Sequence, residues 1–144
     1  MAKKFVTQEI PNLALFQRCR ALHEELDRLR TILPATEVIA AIERADISQM
    51  PPDQQRMAKR ILRDMADLTA KEAELETLTM QAEEAVQQLP NINLRRVTQL
   101  YCIDGMRWQD VLQHCGCCER TVSRCLSLLK KKDEAADSSR ADGR

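Results

Sequence analysis

Leu15, Cys19, Leu22, Leu26, Leu29 and Leu33 recur at alternating steps of four and three. That spacing lays apolar side chains along one edge of a helix and predicts a helix over Asn12–Leu33 with an a/d seam. Pro34 stops it, because proline lacks the N–H a helix needs and disfavours helix in the residue before it. A second stripe, Ile61, Leu68, Leu75, Ala82 and Leu89, repeats every seven residues and is widened by Met57, Met65, Leu78, Ala85 and Val86. It predicts a long helix starting near Pro52–Asp53, with proline in the first turn where it is tolerated, and running to Gln88. Asp64, Lys71, Glu72 and Thr79 interrupt its second row. Between the two, Glu37–Arg44 reads as a short helix and Ser48–Pro52 as a loop. Two long helices joined by a loop suggest an antiparallel hairpin. A second copy could also cover the stripe, since a long helix with one apolar edge seldom stays alone in water.

After Leu89-Pro90-Asn91 the pattern shortens. Ile92, Val97, Leu100, Tyr101 and Ile103 are expected on one side of a helix ending at Asp104-Gly105. Trp108, Val111, Leu112 and Cys115 then form the apolar face of a short helix, and Gly116 stands where a helix end wants a residue tolerant of positive φ. A last helix turns Val122, Cys125, Leu126 and Leu129 inward and Arg120, Ser123 and Arg124 outward. Two short helices joined by a glycine turn are the pattern of a helix-turn-helix unit. The expected fold is therefore all-α: a coiled-coil-like hairpin over residues 1–89, a three-helix helix-turn-helix domain over 90–132, and a tail over 133–144 whose composition predicts disorder.

Composition agrees with long helices and narrow seams: only four aromatic residues and three glycines in 144 residues. No apolar run is long enough to span a membrane, and the start, Met-Ala-Lys-Lys-Phe-Val, lacks a secretory leader, so a cytoplasmic location is expected. The net charge is zero, yet its distribution is uneven. Residues 1–89 carry 12 basic and 15 acidic side chains, and residues 90–132 carry eight basic and three acidic. The excess of positive charge coincides with the helix-turn-helix pattern, which favours a polyanionic partner.

With these residues in view, the segment Leu89-Pro90 … Val97, Leu100-Tyr101, Asp104-Gly105-Met106-x-Trp108, Val111 … Gly116, Glu119-Arg120-Thr121-Val122-x-Arg124 resembles region four of bacterial sigma factors. The Asp-Gly-Met-x-Trp wording and the helical hairpin ahead of it look closer to small phage-encoded sigma-like regulators, the late-gene activators of the RinA and ArpU type. The resemblance implies a DNA-binding transcription regulator that acts at promoters with RNA polymerase. Two positions depart from that pattern. Cys118 stands where the family has a Ser or Thr cap, and sulfur is a poor acceptor. Leu112 stands where the family has Ala at the helix crossing, which implies a wider crossing.

Candidate DNA contacts follow from residue type. Arg120 and Arg124 can bond guanine edges, Ser123 and Thr121 can reach bases or phosphates, and Glu119 can accept from cytosine or favour the helix dipole. Arg107 and Gln109 start the supporting helix, well placed for phosphates, and Lys130, Lys131 and Lys132 add salt-dependent attraction. Six cysteines are present, of which Cys115 and Cys118 form a C-x-x-C pair beside His114, with Cys125 further on. Zinc or a redox role is a minor alternative to four buried or turn-forming thiols, and no metal or cofactor is assigned. His23, beside Glu24 and Glu25, reads as solvated. No phosphate loop, Ser-His-Asp set or carboxylate pair points to an enzyme. Double-stranded DNA is the expected partner, with RNA polymerase and a homodimer through the N-terminal helices as further ones. The alternatives are a helical protein–protein adaptor that does not bind DNA and a zinc-stabilised interaction module.

Overall fold

The computed structural model describes residues 10–130. Every regular element among them is helical, and the fold is all-α. Helix α1 (Leu13–Ile32) ends where Pro34 forces Leu33 into extended backbone. Helix α2 (Thr36–Arg44) and a 3₁₀ turn (Ile47–Gln49), opened by an Asp46 carboxylate that accepts from the Ser48 N–H, lead to the 35-residue α3 (Pro52–Val86). Pro52 occupies the first turn of α3, where its missing N–H costs nothing.

Helices α1 and α3 run in opposite senses. Phe16 and Cys19, early in α1, share a buried cluster with Ala82, Ala85 and Val86, late in α3. Leu26 and Arg30, further along α1, face Leu75 and Glu72. The seam expected on α1 is buried at Cys19, Leu22, Leu26 and Leu29, each contributing on the order of 1–3 kcal/mol by removal from water. Phe16 lies outside the a/d spacing and is fully buried nonetheless, because the C-terminal unit covers the flank of α1 that carries it. Two of the residues that interrupt the α3 stripe, Lys71 and Glu72, are used in cross-helix ion pairs. Glu72 accepts from Arg30 at 2.9 Å, and Lys71 lies between Asp67 (2.8 Å) and Glu25 (3.8 Å). Arg18 grips both oxygens of Glu74 at 2.8 and 2.9 Å. Met57, expected to thicken the stripe, is 66% exposed instead.

Helix α4 (Ile92–Thr98) is capped by Asn91, whose side chain accepts from the N–H groups of Asn93 and Leu94. It widens into a π turn over Gln99–Ile103, closed by the Asp104 N–H to the Gln99 carbonyl at 2.8 Å. Helices α5 (Trp108–His114) and α6 (Glu119–Lys130) follow. The end of α3 falls at the expected boundary, but the apolar cluster does not stop there. Phe16, Cys19, Ala82, Val86 and Leu89 continue into Val97, Tyr101, Val111, Val122 and Leu126. Among the described residues, no helix is long and apolar enough to cross a membrane. Lys131, Lys132 and the tail expected over 133–144 lie outside the described residues, as does most of the entry segment before Pro11.

Candidate nucleic-acid interface

The division of α6 into two faces follows from its sequence. Val122, Cys125, Leu126 and Leu129 are buried at steps of three, one and three, while Arg120, Ser123 and Arg124 are exposed. The buried face anchors the helix on α4, so its outward face is presented on a fixed support. At 12 residues α6 is about 18 Å long. Arg120 and Arg124 stand on successive turns of its first half. Arg107, which precedes α5, is also exposed, and none of these three arginines makes a hydrogen bond or ion pair among the described residues. Arg28, Arg60 and Arg63 on the long helices are equally unpaired, so a free guanidinium alone does not mark the site. Arg120 and Arg124 differ from these in standing on a short helix anchored by its opposite face.

The turn between α5 and α6 is held from several sides. Gly116 takes φ +73°, a region costly for other residues. The guanidinium of Arg96, on α4, donates to the Cys115 carbonyl at 2.7 Å and satisfies the end of α5. The Cys117 thiol donates to Asn93 Oδ1 at 3.1 Å. Cys118 occupies the position just before α6 where a hydroxyl residue would cap. Its sulfur is 3.2 Å from Thr121 Oγ1, its carbonyl accepts from the Val122 N–H, and the Thr121 hydroxyl and backbone N–H groups of the first turn lower its pKa. Thr121 is thus half-buried and engaged with Cys118. Leu112 packs half-buried against the core.

Helix α1 reaches across to the same unit with three polar side chains. Gln17 donates to the Leu129 carbonyl near the end of α6 at 2.9 Å. Arg20 lies 3.9 Å over the Tyr101 ring and donates to the carbonyls of Tyr101 (3.0 Å) and Met106 (2.7 Å). His23 Nε2 meets the Ile103 carbonyl at 2.7 Å. His23, read from the sequence as solvated, is therefore a half-buried contact of the α1 face that the C-terminal unit covers. A helical repeat reports the seam of a helix, not the flank that a distant element later covers.

Two other expectations are corrected. Ile92, placed with the packed face of its helix, is 62% exposed, because the Asn91 cap turns the first residue of α4 outward. Trp108, placed on the inner face of α5, is 40% exposed at the helix start; Val111 and Cys115 alone are fully buried there. Lys130 is exposed, with its ammonium 5.9 Å from the Tyr101 ring. Gln109 and Glu119 are exposed, as a contact role would require.

The remaining thiols are structural in placement. Burial raises the pKa of Cys102 to about 12 and raises those of Cys19 and Cys125. Among the described residues, no group of three or more His, Cys, Asp or Glu side chains is arranged to hold a metal ion. No protein-family profile, curated protein or solved structure matches the chain.

Proposed function

We propose that the chain is a sequence-specific DNA-binding transcription regulator in which α5, the Gly116 turn and α6 act as a helix-turn-helix and α6 enters the major groove. The observation that carries this reading is the division of α6. Four apolar residues fix it to the core, and Arg120, Ser123 and Arg124 project from the other side with no competing partner among the described residues. Arginine forks bond guanine O6 and N7, and a helix of this diameter fits a groove about 12 Å wide. Arg107 and Gln109 would contact phosphates and set the approach of the supporting helix. Glu119 would accept from a base or lie at the helix start, and Lys131 would add charge beyond the described residues.

The resemblance to phage sigma-like activators supports a role at promoters with RNA polymerase, and α1 and α3 would then present the DNA-reading unit to a partner or to a second copy. Titration of the full-length chain with duplex DNA over a range of salt tests the reading against a helical adaptor. An affinity whose logarithm falls linearly with log salt, and which depends on sequence, supports it. A chain that binds no duplex DNA at low salt refutes it.

A further inference from the structure

Where α4 and the π turn meet the end of α3, an open groove of about 270 Å³ is lined by Val86, Gln87, Ile92, Arg95, Arg96, Gln99 and Leu100. None of its residues belongs to α5 or α6, although Arg96 reaches from it to the turn between them. Its floor is apolar, through Val86 and Leu100, and its rim carries the large exposed side chain of Ile92. Among the described residues no acidic side chain lines it. Two guanidinium groups do, and they are not equivalent. Arg96 is committed through Nη1 to the Cys115 carbonyl. Among the described residues the Arg95 guanidinium makes no hydrogen bond or ion pair, and its Nε is buried without an acceptor, a condition that folded proteins rarely leave standing.

An unsatisfied guanidinium fork beside apolar surface is complementary to a carboxylate carried on an apolar segment. We propose that this groove docks a segment of another protein in which a large apolar side chain lies next to Asp or Glu. The apolar side chain would pack on Ile92 and Leu100, and the carboxylate would complete Arg95. A nucleic-acid backbone fits less well, since phosphates and sugars have nothing to place against Ile92. The inference does not depend on the DNA reading.

A phage-displayed dodecapeptide library panned on the full-length chain tests it, with Ile92→Ser and Arg95→Gln chains panned beside it and their helicity and Tm recorded. Ile92 is exposed, so its replacement leaves the fold intact and keeps the test meaningful even if Arg95→Gln loses stability. Peptides pairing a large apolar residue with Asp or Glu should be enriched on the wild-type chain and fall at least about tenfold on each folded variant. Three results would overturn the proposal: no enrichment, enrichment of basic or uncharged peptides, or enrichment that persists on Ile92→Ser. A loss of duplex-DNA affinity in Arg95→Gln with peptide selection unaffected would also overturn it and assign Arg95 to phosphate.

Discussion

The imidazole of His23 fills the space that a side chain on residue 105 would need: a Cβ built on Gly105 would lie 2.5 Å from His23 Nδ1. Gly105 also takes φ +76°, so this position demands glycine twice, once for its backbone and once for the helix packed over it. Gly105→Ala should cost about 2 kcal/mol or more, since left-handed strain and a clash add. Thermal unfolding by circular dichroism checks this. If His23→Ala relieves part of the loss, the contact with α1 is the cause.

Because the core runs across the end of α3 and Gln17, Arg20 and His23 bond the C-terminal segment from α1, residues 90–132 should not fold alone. A peptide of that span is expected to show the amide dispersion of an unfolded chain and little helix at 25 °C. Within the full chain, Arg20→Ala leaves the Tyr101 and Met106 carbonyls without a donor and should destabilise by about 2–3 kcal/mol.

The thiols should separate by reactivity. Cys118 is exposed and its pKa is lowered by the Thr121 hydroxyl and the N–H groups of the first turn, whereas burial raises Cys102 to about 12. Limited alkylation with iodoacetamide at pH 7.5, followed by peptide mass spectrometry, should label Cys118 first and Cys102 only on unfolding. Thr121→Val should slow the Cys118 reaction.

The Arg18–Glu74 pair should be visible in titration. The bidentate guanidinium, the largest cause, holds the Glu74 carboxyl below its ordinary value of 4.5. A folded pKa below the unfolded one adds stability above the unfolded value, which is lost as pH falls through the folded one. Carboxyl NMR should place Glu74 below 4.5, and Arg18→Met should return it upward. Because the pair is exposed, the stability change should be small and should shrink with salt.

Much of this fold was legible in the chain. The two stripes located α1 and α3, proline marked their ends, and Gly116 marked the turn that its positive φ requires. The inward set of α6 was also legible, because four apolar residues at helical spacing on a short basic helix leave one packing solution. What the spacing could not reveal were contacts between distant elements. Phe16, Arg20 and His23 lie off the seam and became central only because the C-terminal unit covers that flank of α1. The outward turn of Ile92 and Trp108 depends on where each helix begins, which a repeat locates only to within a residue or two.

The central claim is that α6 reads DNA sequence. Selection of genomic fragments by the full-length chain, run beside Arg120→Ala/Arg124→Ala, measures it directly. Both arginines are exposed and unpaired among the described residues, so the variant should keep its stability within about 0.5 kcal/mol of wild type. Enrichment of one short motif by the wild-type chain, lost in the folded variant, is the predicted result. Retention of fragments without a shared motif, equal in both proteins and abolished by salt, would contradict it.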